Sequence, residues 1–182
     1  TEMTRLQRDY IAKISSSAKS LLGIINDILD FSKIEQGKLE LEHINFNLLE
    51  VLDNLVDLFS SRLNEKQLNF NINIEPNVFL HRVGDALRLS QILINLMGNA
   101  IKFTQQGFVN LHVFEENTHL TFSVEDSGIG INADQRLKIF ESFTQADDST
   151  TRNYGGSGLG LSICKQLVSM MSGEIRVEGK LG

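Results

Sequence analysis

Residues Asn95–Thr104 read NLMGNAIKFT and lie at the end of a helix-forming stretch that begins near Asp85. Apolar residues recur in this stretch at the three- and four-residue spacing of a helix with one buried face. Asn95 and Asn99 are four residues apart and share a helix face, with Lys102 three residues further on. An amide oxygen can bind Mg²⁺, and a lysine one turn away suits phosphate groups. The alternative is a solvated polar face, and these residues alone leave both interpretations open.

The size and composition of the chain exclude several classes of function. It has 182 residues, a hydrophobic fraction of 41% and a net charge of −6, which argues against nucleic acid or an anionic membrane as partner. The single cysteine excludes an internal disulfide and fits a reducing compartment. No apolar run approaches the roughly 18–20 residues that span a bilayer, and no signal peptide is visible. Both ends of the sequence suggest a fragment of a longer protein.

The N-terminal residues, from about Thr4 to Gln36, are predicted to form one long helix that ends at Gly37. Apolar residues at seven-residue spacing form a heptad seam with apolar flanks. The face is wider than a two-stranded coiled coil needs and favours a helix bundle, with an ordinary core helix as the alternative. The seam consists of Ile11, Ile14, Ala18, Leu21, Ile25 and Ile28.

Helices and strands are predicted along the rest of the chain. Asn47 and Asp85 are expected to begin helices because their side chains suit N-caps. Alternating apolar residues predict strands, two of them forming a hairpin after Thr104. A long loop is predicted between the last two helices, and loops of that length are usually functional or mobile. The predicted strands are Gln67–Ile74, Val78–Val83, Phe108–Phe114, Leu120–Val124 and Glu174–Glu178. The last two predicted helices are Ala133–Phe140 and Leu159–Met171, and the loop between them is Glu141–Gly158.

Two glycine-containing segments are further candidates for binding. Asp126–Gly130 reads DSGIG. Its carboxylate could accept a hydrogen bond from an exocyclic amine, and its glycines leave bare backbone that a flat ring can approach. The alternative is a tight turn that uses Asp and Gly only for their geometry. Gly155–Leu161 reads GGSGLGL and leads into a helix, an arrangement that favours phosphate. A P-loop is excluded because GxxxxGK[ST] is absent, and a dinucleotide fingerprint because Leu161 replaces its third glycine.

In combination, these motifs resemble the sequence boxes of sensor histidine kinases, in the same order and at the same spacing. Asn95–Thr104 resembles the N box, Asp126–Ile131 the G1 box, Ile139–Phe143 the F box and Gly156–Leu161 the G2 box. Leu21–Lys38 resembles the second dimerisation helix and linker of hybrid-type members. The resemblance implies an α/β (α+β) two-layer sandwich of the Bergerat ATP-binding type, with a mixed, mostly antiparallel sheet, preceded by a long bundle or coiled-coil helix.

The resemblance also implies a domain organisation and cofactors. Residues 1–38 would be a partial dimerisation domain with its second helix only, and residues 39–182 the catalytic ATP-binding domain, truncated before its last strand. ATP and Mg²⁺ are the implied cofactors. Asn99 would be the Mg²⁺ ligand, Asn95 and Lys102 would contact phosphates and complete the catalytic set, and Phe103 would border the nucleotide.

The remaining boxes would bind the base and form the lid. Asp126 would read the adenine amine, with Gly130 and Ile131 beneath the base and Gly128 lining the site. Glu141–Gly158 would be the ATP lid. The other implied nucleotide contacts are Arg152, Gly156, Ser157, Gly158, Leu159, Gly160 and Leu161.

The sequence departs from the family in lacking the helix that carries the phosphoacceptor histidine. The four histidines present lie outside such a context, so the chain is expected to bind ATP without phosphorylating itself. The resemblance implies a homodimer through the N-terminal helix of the full protein and a receiver domain or response regulator as partner. It implies that nucleic acid is not a partner, and that the protein contacts a membrane only through segments absent from this sequence. The chain is expected to be the cytoplasmic portion of a membrane-anchored bacterial sensor.

Three functions compete at this point. The first is transfer of the γ-phosphoryl group of ATP to a histidine outside this fragment. The second is ATP hydrolysis of the gyrase or chaperone type, which uses a glutamate one turn before the Mg²⁺ asparagine, where this chain has Asn95. The third is a scaffold without catalysis, against which the presence of Asn99 and Asp126 argues.

Overall fold

The protein is described from a computed structural model that covers residues 3–116, 119–141 and 158–179. It divides into two compact units, Thr1–Leu39 and Glu40–Gly182. The first unit contains helix α1, Arg5–Glu35, within one residue of the predicted bounds at each end. Thr4 forms a capping box with Gln7 at the start of α1, and Gly37 follows the C-cap with a left-handed φ of +63°.

Helix α1 leaves its apolar seam exposed, since no other helix or strand is described in its unit. The seam and flank residues between positions 21 and 29 expose from 39% to 59% of their surface. A face of this width needs further helices to bury it. These residues are Leu21, Leu22, Ile24, Ile25, Ile28 and Leu29.

The second unit contains the remaining helices and strands of the described residues. Asn47, Asp85 and Asn132 accept backbone N–H bonds in the first turns of their helices, so side-chain capping sets these starts. The element bounds are β1 Ile44–Asn47, α2 Leu48–Lys66, β2 Asn69–Ile74, β3 His81–Gly84, α3 Ala86–Phe103, β4 Phe108–Glu116, β5 His119–Asp126, α4 Ala133–Lys138 and α5 Gly160–Met170.

The strands within the described residues form one three-stranded and one two-stranded sheet. In the larger sheet, of order β2-β4-β5, β2 is parallel to β4 and β4 is antiparallel to β5, while β1 pairs antiparallel with β3. This mixed, mostly antiparallel arrangement agrees with the sequence prediction. One face of the larger sheet joins α2 and α3 in the core, which makes a two-layer sandwich. In the cluster formed by this sheet face with α2 and α3, the residues with at most 2% exposure are Leu48, Leu52, Leu55, Leu93, Met97, Val109, Leu111 and Val113.

The strand predicted at Glu174–Glu178 is wrong, because no described strand pairs with this segment. Its burial does alternate, with Ile175 and Val177 half-buried between exposed charged residues. Alternation reports which side chains face the protein, whereas a strand also needs ladder hydrogen bonds to a neighbour. Residues 142–157 of the predicted loop lie outside the described residues, and with them Ser142 and Phe143, two of the five residues of the F box. Among the described helices, none has both the length and the apolar character needed to cross a bilayer.

Candidate functional site

Helix α3 carries the first group of candidate residues and is fixed at its start by Asp85. This buried carboxylate accepts the Arg88 N–H at 2.9 Å through Oδ1 and the Glu42 N–H at 3.1 Å through Oδ2. Helix α3 packs against both α2 and α5, so its position is set by the core of the unit. The predicted site residues Asn95 and Asn99 are half-buried on it, one turn apart.

The start of α5 lies directly against Asn95. A Cβ atom at Gly160 would overlap the Asn95 carboxamide and would lie 2.9 Å from its Cγ. Only glycine therefore fits at position 160 while Asn95 keeps its position. The structure thus brings the predicted N box and G2 box into contact.

The end of α3 meets the segment that follows β5. Gly128 donates its N–H to Asp126 Oδ1 at 2.9 Å, and Thr104 Oγ1 donates to the same oxygen at 3.3 Å. A Cβ at Gly128 would lie 2.7 Å from both this carboxylate oxygen and the Phe103 carbonyl oxygen. The N box and G1 box are therefore in contact as well, with glycine required at their junction.

Glycines with positive φ occur in the described parts of both glycine-rich segments. Gly130 has a φ of +71° and Gly158 a φ of +68°, conformations that other residues rarely adopt. Between Gly158 and α5, Leu159 is buried and serves as the N-cap position of the helix. The half-buried Ile131 follows Gly130, and Leu161 is half-buried in the first turn of α5.

Lys102 carries a partly desolvated positive charge near the end of α3. Burial lowers the pKa of its ammonium group below the usual value of 10.5. Its Nζ lies 4.8 Å from the centroid of the Phe103 ring. A lysine whose charge is incompletely hydrated gains from a bound anion, so the position suits a phosphate contact.

The donor that the predicted site offers to a metal is an amide oxygen. Among the described residues, no group of three His, Cys, Asp or Glu side chains converges as metal ligands. A metal here would depend on an amide oxygen such as that of Asn99, together with ligand phosphates and water. That is the coordination Mg²⁺ usually takes in nucleotide sites.

The predicted residues Arg152, Gly156 and Ser157 lie outside the described residues. Thr104, which is fully buried and bonded to Asp126, is not among the predicted site residues. Its place at the end of the N box was the only available signal. The contact of Lys66 with the end of α3 was not predicted either, and no local pattern indicates it, because its hydrogen-bond acceptors lie 35 to 38 residues further along the chain.

Comparison with known proteins identifies the second unit. Residues 84–182, more than half of the chain, match the family described as Histidine kinase-, DNA gyrase B-, and HSP90-like ATPase. The chain belongs to this family. Residues 2–37 match the His Kinase A (phospho-acceptor) domain, and no histidine lies in this segment.

Relatives in the family are sensor histidine kinases. The chain is 45% identical over its whole length to the sensor histidine kinase GacS of Pseudomonas protegens, and 46% identical over 96% of its length to the kinase BarA of Escherichia coli. It spans about a fifth of the length of both proteins. The resemblance stated from the sequence is therefore confirmed.

A solved structure supports the fold assignment. The structure of full-length ShkA in complex with AMPPNP matches the whole chain with a TM-score of 0.80 and 34% identity, over 38% of its own length. The predicted Bergerat-type fold class is confirmed by this match together with the family match.

Proposed function

We propose that the chain is the ATP-binding catalytic module of a sensor histidine kinase, which transfers the γ-phosphoryl group of ATP to a histidine on a dimerisation helix outside residues 1–182. The proposal is supported above all by the contact of Gly160 with the Asn95 carboxamide, because it joins a glycine-rich helix start to the amide-bearing helix. The family match and the sensor kinase relatives also favour it.

The proposed roles follow the three motifs. Asn99 holds Mg²⁺, which would neutralise phosphate charge when bound, while Asn95 and Lys102 contact phosphates. Phe103 borders the nucleotide, and Asp126 accepts a hydrogen bond from the adenine amine. The remaining proposed nucleotide contacts are Gly128, Gly130, Ile131, Arg152, Gly156, Ser157, Gly158, Leu159, Gly160 and Leu161.

The residue at position 95 favours transfer of the phosphoryl group to a protein side chain over its transfer to water. Hydrolysis of the gyrase or chaperone type would need a carboxylate there as general base, and a carboxamide cannot take up a proton at neutral pH. A phosphoacceptor histidine can supply its own nucleophilic nitrogen. The chain therefore carries the proposed ATP-binding residues without the group that would activate water.

The proposal extends to the whole protein. Residues 1–38 would belong to a dimerisation domain and residues 39–182 to the catalytic domain of a homodimer. A response regulator or receiver domain is proposed to accept the phosphoryl group from the phosphohistidine. The kinase ThkA is matched with a TM-score of 0.67 and 28% identity over half of its chain. It was solved in complex with response regulator protein TrrA. The chain would be the cytoplasmic portion of a membrane-anchored sensor.

A phosphorylation experiment tests the proposal. The chain and a version extended at its N-terminus with the histidine-bearing helix of GacS are incubated with radiolabelled ATP and Mg²⁺. We expect acid-labile, base-stable label on the extended version only, and none when its histidine is replaced by glutamine. Release of free phosphate without labelled protein would contradict kinase activity and favour the hydrolysis alternative.

A further inference from the structure

Lys66, the last residue of α2, forms a cluster of hydrogen bonds at the end of α3. Its Nζ donates to the carbonyl oxygens of Ile101 at 2.6 Å, Lys102 at 3.2 Å and Thr104 at 3.0 Å. The last four carbonyl groups of a helix have no partner within that helix. An ammonium group has three donors, and all three are used here.

The backbone around Lys66 fixes it in this place. Gln67 takes a left-handed φ of 54° at the C-cap of α2, and the Leu68 N–H donates to the Leu63 carbonyl at 3.0 Å. The Asn69 N–H then donates to the Gly107 carbonyl at 2.9 Å. The end of α2 is therefore tied to the turn that follows α3, and Lys66 lies half-buried between them.

The carbonyls that Lys66 binds belong to the segment that forms the junction with the G1 box. Thr104, held through its carbonyl, bonds Asp126 Oδ1 through its hydroxyl at 3.3 Å. Phe103 lies between the bound carbonyls of Lys102 and Thr104, and its own carbonyl oxygen packs against Gly128. A displacement of this segment would move the proposed phosphate contact and the partner of the proposed adenine-binding carboxylate together.

We propose that Lys66 is a positioning residue of the nucleotide site, acting through residues 101–104 and not by contact with the ligand. This inference rests on the proposed ATP-binding function. Lys66 belongs to none of the sequence boxes of the family. Its role differs from that of a simple helix cap, which would stabilise the fold without changing the affinity or base preference of the folded protein.

The test compares three variants of the full chain. Lys66→Met removes the donors, Lys66→Arg retains charge and donors, and Arg62→Met removes a cation from an exposed position of the same helix. Binding of Mg²⁺ complexes of non-hydrolysable ATP and GTP analogues is measured by calorimetry at a temperature where circular dichroism shows every variant folded. We expect Lys66→Met to weaken ATP-analogue binding about tenfold, the equivalent of one charge-assisted hydrogen bond.

The base preference separates positioning from capping. Lys66→Met is expected to lose part of the preference for adenine over guanine because Thr104 no longer holds Asp126, whereas Lys66→Arg restores both affinity and preference. Arg62→Met is expected to match the unmodified chain. If Lys66→Met does not fold, Lys66→Gln, with two donors and no charge, is expected to show a smaller loss of the same kind.

Two results would overturn the inference and are distinguishable. Unchanged affinity and preference in folded Lys66→Met or Lys66→Gln, with only a lower unfolding temperature, would reduce Lys66 to a helix cap while the proposed function stands. An unmodified chain that binds neither analogue would contradict the proposed function, and the inference with it.

Discussion

Asn99 is the residue on which the proposed metal site depends, because no cluster of acidic or histidine ligands exists among the described residues. Alanine at this position removes the amide oxygen, and we expect the Mg²⁺-dependent part of ATP binding to fall by about tenfold or more. Titration calorimetry with and without Mg²⁺ measures the change. Asn54→Ala, at an exposed asparagine of α2, is the control. Full Mg-ATP affinity in Asn99→Ala would remove Asn99 from the metal site.

Asp126 combines a structural and a proposed recognition role, since Oδ1 accepts from both Gly128 and Thr104. Asp126→Asn keeps an acceptor oxygen but replaces the carboxylate by a group that also donates. We expect weaker ATP binding and a loss of about tenfold in the preference for ATP over GTP, measured by competition between the two nucleotides. Glu125→Gln removes a charge from the opposite face of the same strand and serves as the control. An unchanged base preference in Asp126→Asn would exclude Asp126 from adenine recognition.

Lys102, the proposed phosphate contact, leads to a prediction about pH because its pKa is lowered. Burial lowers its pKa below 10.5, so between the folded pKa and 10.5 the unfolded chain binds more protons. Consequently, the free energy of unfolding rises with pH between these two pKa values. At lower pH the lysine is charged in both states, and the cost of burying that charge lowers the stability of the folded chain. Bound phosphates favour the charged form and raise this pKa again.

We therefore expect ATP binding to take up protons at pH values between the pKa of Lys102 in the free folded chain, which lies below 10.5, and its raised pKa in the complex. Calorimetry in two buffers of different ionisation enthalpy measures the proton uptake, which should disappear in Lys102→Met. Equal uptake in the variant and the unmodified chain would show that another group is responsible.

The packing of α5 on α3 makes a separate prediction through Gly160. A Cβ atom added at position 160 would overlap the end of the Asn95 side chain. That side chain can rotate away at little cost in stability, but it then leaves its proposed phosphate contact. We expect Gly160→Ala to weaken ATP binding with little change in unfolding free energy, measured by calorimetry and urea unfolding. Gly23→Ala, in α1 with nothing within 4 Å of the added atom, should stabilise the chain by about 0.5–1 kcal/mol without affecting binding. Equal ATP affinity in both variants would contradict the role of this contact.

The helices were predictable to within a few residues because local side chains set their ends. Asn47, Asp85 and Asn132 cap the helices that follow them. The heptad and amphipathic patterns likewise needed no tertiary information. The strand expected at Glu174–Glu178 failed for the converse reason, because a ladder depends on a partner strand that a local pattern cannot specify.

The same distinction applies to the candidate site. Spacing placed Asn95 and Asn99 one turn apart on α3, as the sequence predicted. The close approach of Gly160 to Asn95 and the bond from Thr104 to Asp126 bring together residues distant in sequence. The resemblance placed their boxes at one site, but only the packed structure shows which atoms touch.

The whole chain combines a unit that contains the ATPase-family match with a helix that cannot bury its own apolar face. The match of residues 2–37 to a His Kinase A domain and the exposed seam of α1 both favour self-association. We expect the unmodified chain to be a dimer in sedimentation at micromolar concentration. Placing charges in the seam, as in Leu21→Glu combined with Ile28→Glu, should yield monomers because a buried carboxylate without a partner is costly.

The second unit should retain its function in these monomers, because its core residues lie outside α1. ATP affinity is therefore expected to be unchanged in the double variant. Lys13→Glu reverses a charge outside the seam and disrupts only an exposed ion pair with Asp9, so it should remain dimeric. An unmodified chain that sediments as a monomer would show that α1 alone is not sufficient for association. Loss of ATP binding in the double variant would show that the site depends on the dimer, which would make association part of nucleotide recognition and not merely of assembly.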